Sequence, residues 1–185
     1  MDGRATAGPT AGAEHLVAGP SGRGTVPADA GGLTATEARR RFAAARVARL
    51  ATADRTGRPH VVPIVFALDG DTVYSAVDHK PKRTTALRRL ANIAENPAVA
   101  LLVDHYDDAD WSRLWWVRAD GAARVVPPGS TEAAHAVALL QHRYGPYVDR
   151  PPTGPYLAVD VSRWSGWTGD GGAGGGPGLA ATHPM

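Results

Sequence analysis

The sequence contains no cysteine. Disulfides, thiolate metal sites and a cysteine nucleophile are therefore excluded, and redox chemistry would need a bound cofactor. Lysine is nearly absent too: of the 20 basic residues only Lys80 and Lys82 are lysine, and the rest are arginine. No apolar run is long enough to span a bilayer, and no basic segment followed by an apolar stretch opens the chain. A cytoplasmic protein without a membrane partner is the expectation. A formal net charge of +2 falls well short of the basic stripe that tracks phosphate backbones, so no nucleic-acid partner is expected either.

What is present suits one domain, with 185 residues of which 43% are hydrophobic. Residues 1–32 are rich in glycine, alanine and proline and lack apolar periodicity, so they are expected to form a disordered tail. The same holds for the glycine-rich stretch 169–185. Gly169, Gly171 and Gly174 fit the dinucleotide fingerprint G-x-G-x-x-G, but no strand-turn-helix pattern surrounds them, and the match is set aside. Residues 33–168 carry the periodic pattern of a folded domain.

Thr34 followed by Glu37 is a capping box, opening a helix through about Ala45. Strands are expected over 46–53, 60–68 and 72–77, the last two joined by the Asp69-Gly70 turn and all three forming a meander. The near-continuous apolar run 60–68 predicts burial on both faces. A helix runs from Thr84 to Asn96-Pro97, strands follow over 98–106 and 114–126, and a further helix spans 130–144. A last strand, 156–161, completes six strands and three helices. Antiparallel hairpins with a helix inserted after the third strand predict a mainly β fold, a small antiparallel barrel, over a parallel sheet.

The segment Ser75 to Thr85 is the most informative for chemistry. It places Lys80, Lys82 and Arg83 with Thr84 at a helix start, where backbone N–H groups are unpaired and the helix dipole is positive. Three cations and a hydroxyl in that position outline a phosphate site; a solvated basic loop with a threonine N-cap is the alternative. Pro63 interrupts the strand before it. A missing N–H there implies an edge, a bulge or backbone facing a ligand.

Gly57 to Phe66, Val73-Tyr74-Ser75 and Lys80-Pro81-Lys82-Arg83-Thr84 resemble the pyridoxamine-phosphate-oxidase-like family. Leu102 to Tyr106 and Trp111 to Arg118, with Gly121, are similar to an actinobacterial branch that uses coenzyme F420. The resemblance covers about 34–168. It implies a split β-barrel of the flavin-mononucleotide-binding type, a homodimer with two cofactor sites at the subunit interface, and an F420-dependent oxidoreductase acting on a conjugated small molecule. It places the cofactor ring against Val62, Pro63 and Ile64, with Ser75 and Trp116 nearby. The phosphate end would meet Lys80, Lys82, Arg83 and Thr84. Relatives usually carry lysine just before the helical threonine, so either Lys82 or Arg83 takes the phosphate. Flavin mononucleotide is the alternative cofactor on the same fold, and a non-catalytic cofactor or haem-handling module is the alternative outside enzymes.

The remaining polar and aromatic residues give weaker signals. Trp111, Trp115 and Trp116 suit a flat, conjugated partner, but Trp115 and Trp116 are strand neighbours and face opposite ways. Asp104, Asp107, Asp108 and Asp110 lack the spacing of a calcium loop, and no metal site is expected. His60, His79 and His105 are the candidate proton donors, although hydride transfer from a bound cofactor needs no dedicated acid.

Overall fold

A computed structural model of the chain describes residues 32–77 and 85–170. Its first helix, α1 (Ala35–Ala44), starts as the capping pattern requires: the Thr34 hydroxyl accepts from the Glu37 N–H at 3.2 Å. The Glu37 carboxylate turns instead to Arg40 and Arg41, whose hydrogen bonds hold its pKa at about 2.

Seven strands follow, β1 (Val47–Ala53), β2 (Pro59–Val65), β3 (Ala67–Asp69), β4 (Thr72–Ala76), β5 (Ala98–His105), β6 (Trp115–Val126) and β7 (Tyr156–Thr168). The further helices are α2 (Thr85–Glu95), α3 (Thr131–Arg143) and the short α4 (Pro146–Asp149), with a 3-10 turn at Trp111–Arg113. One more strand and one more α-helix are therefore present than the sequence pattern predicts. The added helix is the single turn after Gly145-Pro146, and the added strand comes from a break in the run 60–68.

That break shapes the fold. All pairings are antiparallel, in the order β2-β1-β5-β6-β7-β4-β3. β2 and β3 lie at opposite ends of that order, yet only Phe66 separates them along the chain. The two ends must converge, which curls the sheet into a barrel. The expected meander is thus replaced: β4 pairs with β3 through the Asp69-Gly70 hairpin and with β7, not with β2. The Ser75 hydroxyl donates to the Val65 carbonyl at 2.8 Å across the closure.

At the corner, the backbone of Phe66 is satisfied by a side chain instead of a neighbouring strand. Its N–H donates to the Tyr144 hydroxyl at 3.1 Å, and that hydroxyl lies 2.8 Å from the carbonyls of both Phe66 and Arg46. Arg143 donates from Nε to the same oxygen. Tyr144→Phe keeps the ring and strands these backbone groups in a partly buried corner. The expected cost is about 1–3 kcal/mol, read as a lower urea midpoint with an unchanged slope.

Burial in two sets of contacts follows from this topology. Phe42, Leu50, Ile64, Phe66, Leu101, Val117 and Leu157 fill the barrel, while Tyr74, Val126, Ala136, Leu140 and Tyr156 form a second cluster under α3. β4 contributes to both, Val73 to the first and Tyr74 and Ala76 to the second. The expectation that 60–68 is buried on both faces is corrected. His60, Val62 and Ile64 face inward, whereas Val61 is 59% exposed and Pro63 is exposed too. A register shift at Asp120/Gly121 bends β6, and Gly121 is needed there because a Cβ would strike the Asp160 carbonyl. Among the described residues no helix is long and apolar enough to cross a membrane.

Candidate functional site

Among the described residues β2 has a strand on one side only, the edge position at which a proline is tolerated. Of the three β2 residues expected at a cofactor ring, Pro63 presents its side chain outward. Val62 packs against the barrel core and Ile64 is buried in it. Ser75 is buried, with its hydroxyl engaged by Val65. Lys80, Lys82, Arg83 and Thr84, together with His79, lie outside the described residues.

Opposed residues on neighbouring strands share a face. Pro63 is opposite Arg49, Arg49 opposite Leu102, and Leu102 opposite Arg118; in the next row Val61 is opposite Ala51 and Ala51 opposite Ala100. Val47, Val61, Leu102 and Trp116 are all exposed on this outer surface. Its charges are mutually compensated, Arg49 with Asp104 at 2.5 Å and Arg118 with Asp120 at 3.0 Å. Trp116 stands opposite Asp104 and Trp167 and is 38% exposed. Trp115 points the other way, stacked with His105 and covered by the Arg41 guanidinium. The two tryptophans therefore serve different faces, as strand alternation requires.

A second group of residues, missed in the sequence, lies beside β2. Asn92 of α2 is buried and donates to the Thr52 hydroxyl at 3.0 Å; Thr52 in turn donates to the His60 carbonyl at 3.4 Å. That bond chain pins α2 over the start of β2. Arg88 and Arg89 precede Asn92 by four and three residues, the spacing that puts side chains on one helix face. Both act on His60. Burial first, then repulsion from Arg88 and Arg89, pushes its imidazole below the ordinary histidine value. Arg89 is half-buried, and burial pushes its guanidinium down from the ordinary arginine value. Arg89 Nε and His60 Nδ1 are both buried without a hydrogen-bond partner. The signal that could have revealed them is the Arg-Arg pair inside the apolar pattern Leu87, Leu90, Ile93.

The contrast with the rest of the surface is informative. A cleft of about 460 Å³ between α1 and the start of β6 is lined by Arg40, Arg41, Arg113 and Trp115. Each of those arginines is paired, Arg40 and Arg41 with Glu37 and Arg113 with Asp107. Among the described residues no three His, Asp or Glu side chains converge to hold a metal. Asp110 caps the 3-10 turn and Asp104 meets Arg49. Among the described residues Arg89 is the arginine whose guanidinium burial pushes down, and no described carboxylate pairs with it, which suits an anion from outside.

The fold has solved counterparts. A FAD-binding protein from Mesorhizobium loti matches with TM-score 0.55 and 24% identity over 73% of this chain and 94% of that one. A conserved hypothetical protein of Mycobacterium tuberculosis gives TM-score 0.55 and 20% identity, covering 81% and 94%. The heme storage protein HutZ of Vibrio cholerae gives TM-score 0.54 and 19% identity, covering 72% and 90%. At these identities the likeness establishes the barrel alone. No curated protein matches the chain. The family model for pyridoxamine 5'-phosphate oxidase matches residues 34–168, from the capping threonine of α1 to the last residue of β7. With the curled antiparallel barrel and the edge proline of β2, that match makes the chain a member of the pyridoxamine 5'-phosphate oxidase family.

Proposed function

We propose that the chain is an oxidoreductase that holds a phosphate-bearing flavin or deazaflavin at the β2–α2 face, with coenzyme F420 as the leading cofactor. The observation that carries this is the half-buried Arg89, whose Nε has no partner, beside Arg88 and the orphaned His60 Nδ1. Those groups fit an anionic tail. In sequence, Lys80, Lys82, Arg83 and Thr84 lead directly into the same helix and add charge of the same sign. F420 is preferred over flavin because the residues Leu102 to Tyr106 and Trp111 to Arg118 resemble the F420-using branch.

When bound, such a cofactor supplies hydride chemistry that no side chain here can perform. The chain's residues would hold and screen it. Pro63 offers outward apolar surface for a flat ring, Trp116 stands three strands away on the same outer face, and the arginines of α2 offer charge for the tail. The substrate class that suits an aromatic-walled site is a conjugated small molecule able to accept hydride.

A flavin remains the second reading, because the counterpart from Mesorhizobium loti is itself named as FAD-binding. Titration with F420, flavin mononucleotide and FAD, followed by absorbance, separates the two. Flavin retained through purification, with no affinity for F420, would overturn the F420 assignment.

The apolar outer face formed by Val47, Val61, Pro63, Leu102 and Trp116 supports a homodimer with the cofactor between subunits. Sedimentation of the full chain is expected to show a dimer, and dilution to monomer is expected to release the cofactor. A monomer that binds cofactor fully would contradict this.

A further inference from the structure

We propose that His60 is a proton-dependent ligand of the anion that Arg88 and Arg89 hold, so that the anion binds together with a proton taken up on the imidazole. This rests on the reading of the α2 face as an anion site. His60 Nδ1 is buried and unpartnered, and so is Arg89 Nε. The register His60 opposite Thr52, with Thr52 bonded to Asn92 of α2, fixes the imidazole-bearing residue under the helix that carries both arginines.

Among the described residues the charged and polar groups around His60 are few. From α2 come Arg88, Arg89 and Asn92; from β1 comes Thr52, with its hydroxyl engaged by Asn92 and the His60 carbonyl. Asp54, in the turn between β1 and β2, feels Arg88 but gives its Oδ1 to Thr56 and to the Arg58 N–H. Among the described residues no carboxylate counters the arginines at the imidazole.

Without an anion, two guanidinium groups and burial therefore oppose protonation of His60. An anion seated on those guanidiniums reverses the local field. The imidazolium then donates to it from Nδ1, which removes the orphaned atom and adds a charge-assisted hydrogen bond. By linkage, anion affinity must be highest below the depressed value of the free protein. It must fall as pH rises through the higher value of the complex.

Sulfate is the probe, since it stays a dianion across the range in which histidine titrates. Its binding to the full chain is measured at constant ionic strength, and the His60 imidazole is followed by NMR with His60→Asn as the assignment control. The expected result is affinity about tenfold higher near pH 5.5 than near pH 7.5, the equivalent of one unit of pKa rise on binding. The His60 midpoint should move up with sulfate, and His60→Asn should flatten the pH dependence.

A pH-independent affinity with an unmoved His60 midpoint would overturn the proposal. If Arg89→Ala still abolished that binding, the anion site itself would stand. Sulfate binding indifferent to Arg89→Ala would overturn both.

Discussion

Arg89→Ala is expected to raise the dissociation constant for the phosphate-bearing cofactor roughly ten- to a hundredfold, because a hydrogen bond to a charged group contributes about 1.5–3 kcal/mol. The side chain is half-buried, its Nε has no hydrogen-bond partner, and among the described residues no carboxylate pairs with it, so its removal strands no described counter-charge. The fold should accordingly survive, and the loss should appear in affinity. Lys82→Ala, or Arg83→Ala if arginine holds the phosphate, should give a loss of the same order. Added salt should weaken binding as well, since part of the attraction acts through solvent. Unchanged affinity in Arg89→Ala and Lys82→Ala, with folding intact, would move the phosphate elsewhere on the molecule.

The second large effect concerns the barrel itself. Phe42 of α1 is fully buried, with its ring 4.8 Å from that of Phe66 and 5.1 Å from that of Trp164. Those neighbours come from the corner between β2 and β3 and from β7. One side chain therefore joins α1 to both regions of the curled sheet. Phe42→Ala should cost about 3–5 kcal/mol, from lost burial and the cavity left behind. In a domain of this size that lowers Tm by roughly 10 °C. A change of less than about 1 kcal/mol would mean that α1 is not part of the cooperative unit.

Local patterns were readable where local chemistry decides the structure. Thr34 and Glu37 mark the start of α1, Ser130 caps α3 through the Ala133 N–H, and Asp69-Gly70 turns the β3–β4 hairpin. Pro63 marks an edge for the same reason: an absent N–H has the same consequence in any context. The break at Phe66 was not readable. Nothing in the apolar run 60–68 shows that Tyr144, 78 residues away, takes over the Phe66 N–H. Missing that break also misplaced β4, since the two halves of the run belong to opposite ends of the strand order.

The candidate site divides along the same line. A cluster of cations before a helix is visible as composition. The cluster of His60, Arg88 and Arg89 is not, because it depends on α2 lying across Thr52 and His60. Ser75 depends on the closure as well. It is expected near the cofactor ring, and its hydroxyl donates to the Val65 carbonyl at the barrel closure, a contact between strands that the sequence does not show.

The decisive test is a fluorescence titration of the full chain with F420, run beside flavin mononucleotide, on the wild type and on the Arg88→Ala/Arg89→Ala variant. A phosphate-bearing cofactor held at the β2–α2 face predicts F420 bound more tightly than flavin mononucleotide, with that binding lost in a variant that remains folded. Wild-type protein that binds neither cofactor, or a variant that binds F420 as tightly as the wild type, would contradict it.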